Sequence, residues 1–199
     1  MASMKYIFTS ESVAEGHPDK VCDFIADSIL DAHLAQDPMC RVACEVLCKN
    51  NRVILAGEIS SNARVDHQAI VRAAIREIGY IDPVQPFNAG TVSIDEAITE
   101  QAPEVTAGVD PTPNRNYEQG AGDQGIMFGN ATDETPELMP LPILLAHRLS
   151  RGLAEDRKNG TVLWLRPDGK TQVSVLYEGN APKSITDLVV STQHSEKAK

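Results

Sequence analysis

The sequence predicts an α+β fold with largely antiparallel sheets, and three observations carry that reading. The stretch RVACEVLCKNNRVILAGEIS alternates side chains on both sides of Asn50-Asn51, the pattern of a β-hairpin. A second stretch, TVLWLRPDGKTQVSVLY, reads as strand, turn, strand around Pro167-Asp168-Gly169, with Lys170 at the turn's exit. Segments of helical period are mixed among these hairpins, so strands pair mainly with their neighbours in sequence.

Lys5 to Thr9 is a short β-like run. A helix follows from Pro18, because proline suits the first helical position. Val21, Ile25, Ile29 and Ala32 fall on one side of it, while Asp19, Asp23, Asp27 and Asp31 fall on the other. Like charges four residues apart repel by about 0.2–0.5 kcal/mol per pair. Asp23, Asp27 and Asp31 fit a solvated face near a helix N-terminus, and only Asp19 is given a functional role.

In the hairpin, Asn50-Asn51 tolerates the positive φ of a two-residue turn, so Lys49 faces Arg52, Val46 faces Leu55 and Cys44 faces Gly57. Val42, Cys44, Val46, Cys48, Val53, Leu55, Gly57 and Ile59 then share the core face. The opposite face carries Glu45 opposite Ala56 and Glu58 opposite Ala43. Two carboxylates set diagonally beside alanines leave room for a cation or a polar ligand, and a solvated sheet face is the plain alternative.

A second helix is expected from an Asp66 N-cap through Ile78 to a Gly79 stop, with Ile70, Val71, Ala74, Ile75 and Ile78 as its core stripe. A strand over Thr91 to Ile94 leads into an acidic helical turn ending near Gln101. Residues 102–119, APEVTAGVDPTPNRNYEQ, have three prolines and almost no period, as expected of a lid, a binding loop or a disordered linker. They run into GAGDQG at 120–125, where glycines allow close backbone approach. Pro140 and Pro142 open a third helix, stopped after Lys158 by Asn159-Gly160, and a last strand covers Ser184 to Ser191.

Composition narrows the function. With 18 basic and 28 acidic residues the formal charge is −10, which disfavours general binding to a nucleic-acid backbone. No apolar run approaches the ~20 residues of a membrane span, and the N-terminus MASMKYIFTSESV is too weakly apolar for a signal peptide, so a cytoplasmic location is expected. Cys22, Cys40, Cys44 and Cys48 form no CxxC pair and are expected as reduced thiols.

Three stretches, FTSESVAEGHPDK, EQGAGDQG and WLRPDGK, occur in an order that resembles the S-adenosylmethionine synthetase (methionine adenosyltransferase) family. ACE at 43–45, GEI at 57–59 and STQHSE at 191–196 are similar to it too. The resemblance implies repeated two-layer α/β domains: an N-terminal domain over 4–101, a mobile active-site loop over 102–119 and a central domain over 120–199 that is incomplete. It implies formation of S-adenosylmethionine from ATP and L-methionine, by sulfur attack on C5′ with loss of tripolyphosphate, which is then hydrolysed to pyrophosphate and phosphate.

By the same resemblance, His17 and Lys170 would be catalytic, and His17, Asp168 and Lys170 would bind ATP. Glu58, Gln101 and Asp123 would bind methionine, Asp19 would hold magnesium and Glu45 potassium. Gly169 stands where the family more often has alanine. The family's active site lies between subunits of a dimer of dimers. Its members are about twice as long, so the 199-residue chain is expected to be inactive or nearly so alone. A non-catalytic short homologue, a nucleotide-binding partner subunit and, more weakly, a phosphohydrolase using only the His17/Asp19 end are the alternatives.

Overall fold

The structure, a computed structural model, describes residues 3–100, 121 and 124–198. In chain order its elements are β1 (Lys5–Val13), α1 (Pro18–Leu34), β2 (Arg41–Lys49), β3 (Arg52–Ser60), α2 (His67–Ile78), β4 (Ser93–Thr99), α3 (Leu141–Lys158), β5 (Leu165–Glu178) and β6 (Ala181–His194). They form two three-stranded sheets, β2-β3-β4 and β1-β5-β6. Three strand pairs are antiparallel, and β3/β4 is parallel.

The β2/β3 hairpin has the expected register, with Lys49 opposite Arg52, Cys44 opposite Gly57, Glu45 opposite Ala56 and Glu58 opposite Ala43. Asn50 takes φ 53° in its turn. Under its core face, Val21, Ile25 and Ile29 of α1 and Val71 and Ile75 of α2 are buried with Val53 and Leu55. Burying each of these aliphatic side chains contributes about 1.5–3 kcal/mol. The caps of α2 are as its sequence requires. The Asp66 side chain accepts from the Ala69 N–H at 3.0 Å, and Gly79 ends the helix at φ 110°.

His33 in the last turn of α1 is also buried, and its Nε2 lies 3.0 Å from His67 Nε2 at the start of α2. His67 Nδ1 lies 2.7 Å from a Glu96 carboxylate oxygen on β4. The carboxylate takes the Nδ1–H, so in the neutral form of the His67 ring Nε2 is the acceptor and His33 Nε2–H donates. This relay ties α1, α2 and β4 together.

The structure departs from the sequence expectations in four places, the simplest being that β6 runs over Ala181–His194 and not only Ser184 to Ser191, because β5 pairs with it along that length. The run Ser93–Thr99 is strand β4, not an acidic helical turn. Its acidic residues reflect partners: Asp95 is paired with Arg52 across the sheet and Glu96 with His67, while Ile94 and Ile98 pack on the core. Strand β1 continues past Thr9 to Val13 because β5 supplies a ladder along its whole length, from Lys5 opposite Glu178 to Val13 opposite Lys170. Finally, Pro167-Asp168-Gly169 is not a turn but lies within the central strand β5. The β5/β6 register slips between Leu165 and Gly169, so the proline sits in a bulge and not in a regular ladder.

The second sheet packs one face on α3, where Ala146, Val173, Val175 and Tyr177 are buried together. Its outer strand β6 leaves Ile185, Leu188, Val189 and Val190 about half exposed. The first strand of the chain and the last two share this sheet, so the two ends of the sequence are knitted into one layer. All four cysteines are free thiols, as expected. Burial, with Cys22 as hydrogen-bonding neighbour, pushes the Cys48 thiol well above its ordinary range.

Candidate functional site

Beyond Val13 the chain leaves β1 but keeps following β5. The Ala14 N–H donates to the Gly169 carbonyl at 2.7 Å, and the Gly16 N–H donates to the Pro167 carbonyl at 3.2 Å. The stretches EGHPDK and RPDGK, far apart in sequence, are therefore hydrogen-bonded side by side. Glycine at 16 is obligatory: a Cβ there would lie 2.4 Å from the Pro167 carbonyl carbon. From the other side the buried Tyr80 hydroxyl donates to the Gly16 carbonyl at 2.6 Å.

His17 follows as the N-cap of α1, at φ −64° and ψ 138°. Its Nδ1 accepts from the Asp19 backbone N–H at 3.3 Å, a long but aligned cap. An accepting Nδ1 puts the neutral ring's proton on Nε2, the atom facing away from the helix. Asp19 stands in the first turn with its side chain 89% exposed and an oxygen 3.8 Å from His17 Nδ1. It offers hard carboxylate oxygens, the donor type magnesium takes, to ligands outside the chain.

On β5, the Asp168 backbone carbonyl accepts from the Thr192 hydroxyl at 3.3 Å. The Asp168 carboxylate faces the Tyr80 phenol closely enough to help raise its pKa, burial being the larger cause. Lys170, opposite Val13, rests its ammonium 3.3 Å from the Glu11 carboxylate, both side chains about half exposed. A contact so long and wet is worth little, so the ammonium is readily available to an anion. One backbone register thus sets the segment carrying His17 and Asp19 beside the strand carrying Asp168 and Lys170.

Glu45 and Glu58 belong to a different place. They lie on the β2/β3 face away from α1 and α2, one exposed and one half-buried, as the hairpin register predicts. Between them Gly57 takes φ +143°, and a Cβ there would lie 2.0 Å from the Ala43 carbonyl oxygen. The structure does not bring this pair to His17. Among the described residues no group of three or more His, Cys, Asp or Glu converges as a metal cage. Gln101, Asp123 and the 102–119 loop lie outside the described residues.

Sequence reasoning passed over a cluster behind His17. The Arg157 guanidinium and the Lys158 ammonium, at the end of α3, both bind the Glu15 carboxylate, Lys158 at 2.7 Å. Arg157 is 11% exposed and also donates to the Ile78 carbonyl at 2.7 Å. The only signal was a basic pair in a helix's last turn, which reads equally well as complementing the helix dipole.

The sequence model for the S-adenosylmethionine synthetase N-terminal domain matches residues 5–103, and that for the central domain matches residues 118–199. An S-adenosylmethionine synthase of Akkermansia muciniphila is 56% identical over 197 residues, covering 96% of this chain and 50% of the relative. One from Sorangium cellulosum is 54% identical over 195 residues, covering 98% of this chain and 46% of the relative. One from Synechococcus is 53% identical over 195 residues, covering 96% and 48%. The chain spans about half the length of the curated relatives it matches.

Proposed function

The chain belongs to the S-adenosylmethionine synthetase family, and from that premise we propose that the protein is a methionine adenosyltransferase. The methionine sulfur attacks C5′ of ATP, the C5′–O bond breaks, and tripolyphosphate leaves and is then hydrolysed to pyrophosphate and phosphate. The observation that supports this reading is the register of Ala14–Gly16 along Pro167–Gly169, which runs the segment bearing His17 and Asp19 beside the strand bearing Asp168 and Lys170.

The leaving group accumulates negative charge, so catalysis needs donors and cations placed where that charge develops. His17 Nε2–H donates to the departing oxygen, its tautomer set by the cap at Nδ1. Lys170 turns from Glu11 to the phosphates, and Asp168 binds the nucleotide. Magnesium, when bound, neutralises phosphate charge, and Asp19 is the carboxylate that holds it. Glu58, Gln101 and Asp123 bind methionine and Glu45 holds potassium. Glu45 and Glu58 serve a site on a second copy of the chain, in a dimer of dimers. That sharing is supported by their standing on the sheet face opposite the helices. A cytoplasmic location accompanies this reading, and no helix among the described residues is long and apolar enough to cross a membrane.

The test is direct. The native protein, given ATP, L-methionine, magnesium and potassium, should form S-adenosylmethionine, pyrophosphate and phosphate in equal amounts. His17→Asn should lower kcat by roughly 100-fold or more, as expected for removal of a group that stabilises the transition state. Nucleotide binding with no product from the unsubstituted protein would instead support a non-catalytic partner.

A further inference from the structure

The peptide plane that precedes His17 is fixed at both ends. Its carbonyl, that of Gly16, accepts from the Tyr80 hydroxyl at 2.6 Å, and its N–H, that of His17, donates to the Ala14 carbonyl at 3.0 Å. Tyr80 is 5% exposed, and its ring is held edge-on against Phe87 at 5.0 Å. Tyr80 follows Gly79, which has no side chain because the Arg157 guanidinium occupies that space: a Cβ would come within 2.3 Å of it. Arg157 in turn binds Glu15, two residues before His17, and the Ile78 carbonyl, two residues before Tyr80. The contacts close a ring, Glu15–Arg157–Ile78–Tyr80–Gly16, around the turn that presents the imidazole.

We propose that Tyr80 and Arg157 are positioning residues for His17: together with Glu15 they hold the Gly16–His17 peptide in the one orientation that keeps Nδ1 capped and Nε2–H aimed outward. This rests on the role given to His17 in the proposed function, and it extends that role to residues that touch no substrate. Two features distinguish the ring from ordinary packing. Every contact falls on backbone or side-chain atoms within two residues of His17 or Tyr80. In addition, two cations share one carboxylate, so Glu15 brings no net negative charge to a site meant for phosphates.

The informative variants are Tyr80→Phe, which removes one hydroxyl and keeps the ring, and Glu15→Gln, which keeps shape and loses charge. Both are made in the native protein. Small misplacement of a catalytic group costs rate more than binding, so kcat should fall about 10-fold with KM for ATP and methionine within about 2-fold. Nitrogen NMR of His17 gives a second, activity-independent reading. At a pH where the ring is neutral, the unsubstituted protein should show protonation at Nε2 alone, and both variants should show mixed tautomers. Unchanged kcat and an unchanged His17 spectrum would overturn the proposal. So would parallel loss of kcat and binding with an unaltered tautomer, which marks a merely structural role. If the unsubstituted protein forms no S-adenosylmethionine, the functional reading fails by itself, and the NMR result alone decides whether Tyr80 and Glu15 position His17.

Discussion

Around His17 the backbone is bonded on every side, whereas Glu45 and Glu58 stand on a sheet face with little over it among the described residues. In the first region Ala14 and Gly16 are laddered to β5, Gly16 has no room for a methyl group, and Tyr80 and Arg157 close the back. In the second, the glutamates are placed by strand register alone among the described contacts, Glu58 between Ala43 of β2 and Thr99 of β4, and Leu47 on the same face is 59% exposed. A region finished within one chain can present a catalytic group by itself. A rigid but uncovered face needs a second surface to become a site, and oligomers supply such surfaces by symmetry.

The largest effect expected from this contrast is one of complementation. His17→Asn and Glu58→Gln should each abolish most activity of the native protein. If each active site takes His17 from one copy and Glu58 from another, mixing the two variants under subunit exchange restores activity. About half the dimers are then mixed and each holds one intact site of two, so roughly a quarter of the unsubstituted rate should return. No recovery after demonstrated exchange would place both residues in the same chain's site and break the comparison.

Next in size is the stability of the bonded region. Gly16→Ala drives a Cβ into the Pro167 backbone at 2.4 Å, where no flexible side chain can yield. Overpacking of this kind costs about 1–3 kcal/mol, read as a fall in the urea midpoint at constant slope. A neutral result would mean that the turn is free to move off β5, and the distinction between the two regions would be lost.

The His33–His67–Glu96 relay predicts how the first layer responds to pH. Burial and then the neighbouring His67 lower the His33 pKa, against a smaller opposing pull from Asp37. The unfolded chain therefore takes up the proton more readily than the folded one. Stability should be full above the ordinary histidine value of 6.5 and decline as the pH falls below it. Burial lowers the His147 pKa too, so His147, under the other sheet, acts in the same direction. Thermal unfolding at stepped pH separates them, because His33→Gln should flatten the decline without removing it. An unaltered profile in that variant would assign the whole dependence to other groups.

How much of this was legible beforehand depended on where each contact closes. The hairpin, its register and the diagonal glutamates follow from period and turn chemistry within a few residues, and so do the Asp66 and Gly79 caps. Strand β4 was hidden because Asp95 and Glu96 look like a solvated turn until Arg52 and His67 are brought to them. The PDG run was misread for the same reason. Its turn residues are accommodated by a bulge that exists only because β1 and β6 flank it. Of the site, His17, Asp19, Asp168 and Lys170 came from motif resemblance. Their juxtaposition, and the Glu15–Arg157 contact behind them, needed a ladder between residues more than 140 positions apart, which no local pattern encodes.

The smallest expected effect concerns Gly169. As part of a turn, the residue would be free to change. In strand β5 an added Cβ would meet the Ser191 carbonyl oxygen at 3.3 Å, the Thr192 hydroxyl at 3.5 Å and the Ala14 methyl at 3.6 Å. The last two are ordinary contacts, and the first asks β6 to give by a few tenths of an ångström. Against that strain, alanine removes conformational freedom from the unfolded chain, which stabilises by about 0.4–1 kcal/mol where the backbone is compatible. Gly169→Ala should therefore change stability by less than about 0.5 kcal/mol, with the gain favoured because β6 is an outer strand able to shift. A loss as large as that of Gly16→Ala would show that β6 is held as tightly as the His17 turn. The bonded region would then extend across the whole second sheet.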